Sequence, residues 1–193
     1  VQAVFDEHGA FTKPVGGQAV LPAIGETAMT ASDQRAPVVR PGEVRFDGPE
    51  PNYDDAGLVF IGRVRSPWAS RDECPKNLSD ARERGQPARV EIDARWRGAL
   101  TGLGVDRSVF LLTWLDGAER DLAIQAPRHA DGPRGTFMLR SPVRPNPIGL
   151  HLVRLLTVDQ QAGILTIDAI DVRDGTPLID IKPYLASIDA PPE

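Results

Sequence analysis

A single cysteine, Cys74, in 193 residues leaves no internal disulfide framework to hold this chain together. The three histidines, His8, His129 and His151, show no metal-ligand spacing with it, so no metal site is expected. No run of about 20 apolar residues marks a membrane span. The N-terminus also lacks the basic, apolar and small-residue succession of a signal peptide, so a cytoplasmic location is expected. No G-x-G-x-x-G follows a strand pattern, which disfavours a Rossmann domain; the glycines of Thr101 to Gly104 are too isolated to serve. A triad of Ser141, His151 and an aspartate lacks the G-x-S-x-G elbow, and a serine before proline is better read as a turn cap. Aromatic residues are sparse, and Trp68, Trp96 and Trp114 are expected in a core or an interface.

What is present suffices for one core, since 41% of the residues are hydrophobic. The net charge of −5 is unevenly spread. Residues 1–57 hold four Lys/Arg against nine Asp/Glu, which leaves the remainder neutral. Within that remainder, Arg128 to Arg154 contains five arginines and one acid, Asp131. A basic face of this kind suits phosphate, although a neutral domain with solvated charges reads the same way. Val1 to Ala56 is rich in Gly, Pro, Ala and acids without a sustained period. It reads as an extended or partly disordered arm, in which the run Ala19 to Leu21 is available to pair with a sheet edge. The domain boundary is therefore placed at residue 57, with residues 58–193 as the main domain.

From Leu58 the pattern is one of short strands. Leu58 to Arg65 is β-branched and ends at Ser66-Pro67, and a short helix is expected near Asn77 to Arg84, capped by Asn77 or Ser79. Ala88 to Asp93 alternates, Trp96 to Leu100 suggests a helical turn, and Arg107 to Leu115 is a long apolar strand. Asp116-Gly117 predicts a hairpin into Asp121 to Gln125. A further strand is expected at Gly135 to Arg140, and a hairpin pairs Leu150 to Val158 with Gly163 to Val172. The fold class that follows is all-β: a small, mostly antiparallel β-barrel with short helices and an extended N-terminal arm.

Two segments stand out. Ser141 to Leu150, SPVRPNPIGL, carries three prolines that fix φ and bias the preceding residues to extended geometry. It is a built loop, flanked by Arg140 and containing Arg144. The second, Asp171 to Tyr184, DVRDGTPLIDIKPY, carries Asp171, Asp174 and Asp180 with Lys182 around an Asp-Gly turn.

With IGRVRSPW at Ile61 to Trp68, the blocks RSPVRPNPIGL at Arg140 to Leu150 and DGTPLIDIKPY at Asp174 to Tyr184 resemble the TrmO (TsaA-like, formerly YaeB) family. The resemblance covers about Leu58 to Pro191. It implies a β-barrel methyltransferase that uses S-adenosyl-L-methionine, usually as a homodimer. The implied reaction is methylation of N6 of N6-threonylcarbamoyladenosine beside the tRNA anticodon. For the cofactor it implies contacts from Arg140, Leu150, Asp171, Val172, Arg173 and Asp174. Further contacts are implied for the Pro75, Lys76 and Asn77 loop and for the Asp116 and Gly117 turn. Pro75 to Asn77 reads equally as a plain helix start. Members often carry histidine where this chain has Asp116.

Methyl transfer from a sulfonium is an in-line displacement, so the protein must place the nitrogen, exclude water and deal with a proton; no covalent residue is required. Asp171, Asp174 and Asp180 are candidates by position for removing the proton, Asp174 first among them, with an equal case for Asp174 as a loop cap. Arg144 and Lys182 are candidates for holding the threonyl carboxylate or a phosphate, Asn146 for a base edge, and Tyr184 for stacking. The alternative reading of Arg144 is a brace paired to Asp174. Two other functions remain compatible with the residues: a methyltransferase of the same fold with another substrate, and a cofactor-binding module without catalysis.

Overall fold

The computed structural model describes residues 40–45, 57–127 and 130–191. The remaining expectations for the arm, including the Ala19 to Leu21 edge pairing, lie outside the described residues, as does His129.

Six strands close into a barrel. In chain order they are β2 (Gly62–Arg65), β3 (Ala88–Ile92), β4 (Ser108–Trp114), β7 (Ile148–Asp159), β8 (Ile164–Ile167) and β9 (Pro177–Pro183). Around the barrel the order is β2-β3-β8-β7-β4-β9, every pairing is antiparallel, and β9 returns to β2. Closure leaves these strands without an open edge. The expected all-β barrel is what forms.

The alternation read from the sequence sets the two faces. Along β4, Val109, Leu111 and Thr113 point inward, and along β7 the inward set is Gly149, His151, Val153 and Leu155. Of these, Val109, Leu111, Val153 and Leu155 pack with Val64, Val90, Leu165, Ile167 and Leu178 in the hydrophobic core of the barrel. Burial of these aliphatic chains supplies the main driving force for the fold. Gly62 is required where β2 meets β3, because a Cβ there would lie 2.0 Å from the Glu91 carbonyl oxygen.

Helix α1 (Leu78–Glu83) starts as expected at Asn77, whose side chain accepts from the Asp80 N–H at 3.0 Å, while Asp80 accepts from the Lys76 N–H at 2.9 Å. The turn at Ala94–Leu100 is a 3-10 helix, and a short α2 covers Ala186–Asp189.

Three strand expectations are corrected. The Asp116-Gly117 turn does form, with the Ala118 N–H on the Leu115 carbonyl, but it does not make a hairpin. Strand β4 is already paired on both sides, by β7 and β9, so β5 (Leu122–Gln125) has no free edge of β4 to join. It builds a separate three-stranded sheet, β1-β5-β6, with β1 (Val44–Arg45) and β6 (Arg134–Gly135). The strand expected at Gly135 to Arg140 ends after Gly135 and becomes a 3-10 turn, Thr136–Met138. Buried Thr136 explains the change. Its hydroxyl donates to the Leu122 carbonyl and accepts from Gln125 Nε2, which pulls the chain inward. The expected β2 strand also begins later, at Gly62, with Leu58 to Phe60 exposed.

Candidate functional site

The antiparallel register brings the three sequence blocks to one end of the barrel. Strand β4 ends at Trp114 opposite Ile148, and Thr113 faces Leu178, so the proline loop, the Asp116 turn and the start of β9 share one rim. The Leu115 N–H donates to the Pro147 carbonyl at 2.9 Å, and Arg120 Nε donates to the Pro145 carbonyl at 2.7 Å. These bonds lay the proline loop over the 115–120 turn. On its other side the loop is fixed from the small sheet, where Gln125 Nε2 donates to the Val143 carbonyl at 2.7 Å.

Below the rim lies a polar relay inside the barrel. Thr113 Oγ1 and His151 Nε2 are 2.9 Å apart, and His151 Nδ1 lies 2.8 Å from Asp171 Oδ1. His151 is 5% exposed, so its two ring nitrogens are satisfied by these partners rather than by water. Gly149 creates the room. A Cβ at that position would sit 2.3 Å from Thr113 Oγ1 and 2.4 Å from His151 Nε2, inside the hydrogen bond itself. The glycine in PNPIGL is thus explained by space on the barrel's inner face.

The start of the third block is tied to the end of the first. Ser66 Oγ donates to the Val172 carbonyl at 2.7 Å, the Ser66 N–H donates to Asp174 Oδ1 at 3.1 Å, and the Asp174 N–H donates to the Trp68 carbonyl at 2.8 Å. Trp68 is buried, as expected of a core residue, and its indole N–H donates to the Ile170 carbonyl. Arg65 pairs with Glu91 and lies 3.6 Å from Asp174. Asp174 therefore caps a neighbouring segment rather than its own loop. It is not the partner of Arg144, whose Nη2 donates to the Leu139 carbonyl at 3.1 Å and the Thr136 carbonyl at 3.5 Å. Arg173 reaches Asp116 at 3.5 Å, which brings those two cofactor candidates and adjacent Gly117 together.

Arg84 lies over the Trp68 ring at 5.1 Å and donates to the Glu73 carbonyl at 2.8 Å, which ties the segment before α1 to the end of the first block. Burial pushes the Cys74 thiol above its usual range. Asn77 spends its side-chain oxygen on the helix cap, which supports the plain helix-start reading for that atom. Lys76 and Asn77 also line a polar cavity of about 460 Å³ beside α1, with Ser79, Asp80, Glu83 and Arg84.

Not every candidate falls at this rim. Leu150 is on it but faces outward, 48% exposed, with its carbonyl held by Arg140 Nη2 at 3.1 Å. Asn146 is exposed in the loop. Lys182 pairs with Asp180 at 2.8 Å, and its register opposite Phe110 puts it four residues, about 13 Å, down the barrel from Trp114. Tyr184 is further still, edge-on to Phe110 with ring centroids 5.8 Å apart. Sequence reasoning missed His151 because its meaning depends on a cross-strand partner, Thr113, and on an aspartate 20 residues on. The only local sign was the glycine two residues earlier.

A closed antiparallel barrel whose Pro-rich loop and Asp-Gly segment meet at one rim defines a small class of β-barrel proteins. The profile of one family within it, the tRNA-methyltransferase O N-terminal domain, matches residues 63–190, and the chain belongs to that family. A solved structure of TrmO from Pseudomonas aeruginosa is 32% identical, with a TM-score of 0.55 over 70% of this chain and 58% of that one. The chain thus spans less than two thirds of that relative. A probable S-adenosyl-L-methionine-binding protein, VirR, of Rhizobium radiobacter is 38% identical over 69% of this chain and 73% of its own length. A tRNA (adenine(37)-N6)-methyltransferase of Eikenella corrodens is 47% identical over 60 residues, which is 31% of this chain and 34% of that protein.

Proposed function

We propose that this chain binds S-adenosyl-L-methionine at the rim and methylates N6 of N6-threonylcarbamoyladenosine at position 37 of tRNA, acting on the anticodon loop as a cytoplasmic homodimer. The observation that carries the reading is the convergence of the three blocks at one rim, with Asp171 held there by buried His151. The residues at the rim fit the cofactor. Leu150 offers an exposed apolar surface for a base, and Arg140 and Arg173 offer cations for a carboxylate. Asp171 and Val172 add main-chain groups beside them. When bound, the cofactor supplies a methyl group on a positively charged sulfur.

The chain's own residues then have separable tasks. The prolines and the carbonyl bonds from Arg120, Arg144 and Gln125 fix the loop, so the substrate meets a preformed surface. Arg144 uses Nη2 for this, and its other guanidinium donors are the proposed hold on the threonyl carboxylate. Asn146, at the loop's exposed tip, reads the base edge. The carbamoylated N6–H is acidified by delocalisation, so a modest base suffices. Asp174 has one oxygen on the Ser66 N–H and the other beside Arg65, and Asp180 is paired with Lys182. Asp171 takes the proton in this reading: Oδ1 rests on His151, which leaves Oδ2 to accept it. Asp174 keeps the segment in place.

The test is transfer of a labelled methyl group from S-adenosyl-L-methionine to tRNA carrying threonylcarbamoyladenosine, read by nucleoside mass analysis with unmodified tRNA as control. A new methylated threonylcarbamoyl nucleoside is expected. Cofactor binding with no transfer to any tRNA would overturn the assignment and leave a binding module.

A further inference from the structure

The 3-10 turn Thr136–Met138 carries Phe137 and Met138 at 78% and 79% exposure, the most exposed large hydrophobic side chains among the described residues. A turn this well anchored has little reason to hold them in water. Thr136 is buried and bonded to Leu122 and Gln125, the Leu139 N–H returns to the Thr136 carbonyl, and Arg144 clasps both the Thr136 and Leu139 carbonyls. The backbone is fixed while the two side chains project.

Arginines flank the pair. Arg134 precedes it on β6, and Arg140 follows it, bound to the Leu150 carbonyl. Neither forms a salt bridge with any described residue, whereas Arg65, Arg82, Arg84 and Arg173 each meet a carboxylate. A rigid aromatic surface three residues from Arg134, an exposed cation with no acidic partner among the described residues, matches the chemistry of single-stranded RNA: bases stack on the ring, and a phosphate takes the guanidinium group. A second copy of the chain fits the patch less well. A second copy would have to set an acid against each of these exposed arginines or bury them unpaired, which is costly.

We propose that Phe137 and Met138 form a stacking platform for an unpaired base of the RNA loop, with Arg134 on a neighbouring phosphate. This deepens the tRNA reading above and rests on it for the identity of the RNA. The experiment uses the full chain and a labelled anticodon stem-loop RNA, with affinity read by fluorescence anisotropy across a salt series, sedimentation as a second readout and S-adenosyl-L-methionine affinity as a third. Phe137→Ala is expected to weaken RNA binding about 5- to 100-fold, with Phe137→Trp restoring it, and to leave cofactor affinity and the salt slope unchanged. Arg134→Ala is expected to flatten the slope of log affinity against log salt by about 0.7. Unchanged RNA affinity in Phe137→Ala overturns the platform, and a simultaneous loss of dimer in sedimentation would assign the patch to a second copy. Loss of cofactor binding in that variant overturns it too, by assigning the patch to the cofactor site. If the wild type binds RNA through Phe137 but transfers no methyl group, the proposed reaction fails and the platform stands. If it methylates tRNA while Phe137→Ala binds as well as wild type, the platform fails and the reaction stands.

Discussion

Gly149→Ala places a methyl group where no room exists, and its consequences follow from two distances. The new Cβ would lie 2.3 Å from Thr113 Oγ1 and 2.4 Å from His151 Nε2, so the 2.9 Å bond between them cannot persist. Both atoms are in buried residues on the barrel's inner face. Leaving a buried polar group unsatisfied costs about 1–3 kcal/mol, and forcing an extra carbon into a packed interior costs about 1–3 kcal/mol. Some relaxation is shared between the two, so a net loss of about 2–4 kcal/mol is expected. For a domain of this size that lowers the midpoint of thermal unfolding by roughly 5–15 °C.

The coupling makes the prediction specific. Displacing the His151 ring also removes the donor that holds Asp171, so S-adenosyl-L-methionine affinity, read by titration calorimetry on the protein still folded at low temperature, should fall as well. In a Thr113→Ala, His151→Ala background the methyl group meets open space, and Gly149→Ala should then cost at least about 1 kcal/mol less than in the wild type. A stability change under about 0.5 kcal/mol, or a full-sized loss that persists in that background, would refute the relay as the reason for the glycine.

Three further outcomes test other parts of the rim. Asp174→Asn keeps an acceptor for the Ser66 N–H and loses only the exposed pairing with Arg65, so it should melt within about 1–2 °C of wild type, with Asp174→Ala melting clearly lower; equal melting points would remove the Ser66 bond from the account. Glu43→Ala with Arg45→Ala removes the Glu43 bond to the Ala126 N–H and the Arg45–Asp121 pair, and amide exchange across Leu122 to Gln125 should rise about fivefold while β4 and β7 stay protected. The Asp80 carboxyl is held below its ordinary range, first by the Lys76 N–H and then by Arg84. Its folded value lies below the unfolded one, so its support of α1 is complete above about pH 4 and is lost as pH falls through the folded value. Asp80→Asn should therefore show a shallower acid-side loss of stability in a pH series of melting curves.

Local patterns in the sequence were enough for the barrel class, for the Asn77 cap and for the β7–β8 hairpin, because each depends on residues within a few positions of one another. The β4–β5 hairpin failed for a non-local reason. Asp116-Gly117 is a sound turn, but whether two strands pair across a turn depends on whether the first still has a free edge, and β4 had been claimed from both sides by strands far along the chain. The Gly135 to Arg140 strand failed on one buried hydroxyl. Alternation cannot show that Thr136 bonds to Leu122, and that bond turns the chain and leaves Phe137 and Met138 outside.

The candidate site divides along the same line. Arg173 and Asp116 come together because they sit beside turns that the register delivers to one rim, whereas Lys182 and Tyr184 share a sequence block with Asp174 but travel down β9 away from it. A strand moves about 3.3 Å per residue, so eight residues of one motif separate its two ends by more than the width of a bound nucleoside. A conspicuous block in a β-barrel is therefore best read from the end that meets a loop. The same geometry accounts for the alternation of roles along PNPIGLH. Outward Ile148 and Leu150 offer surface, inward Gly149 gives space, and inward His151 fills that space while reaching Asp171 on the next block. Period-two alternation thus lets one strand carry both the contact face and its support, and a one-residue slip in β7 would exchange them and abolish both.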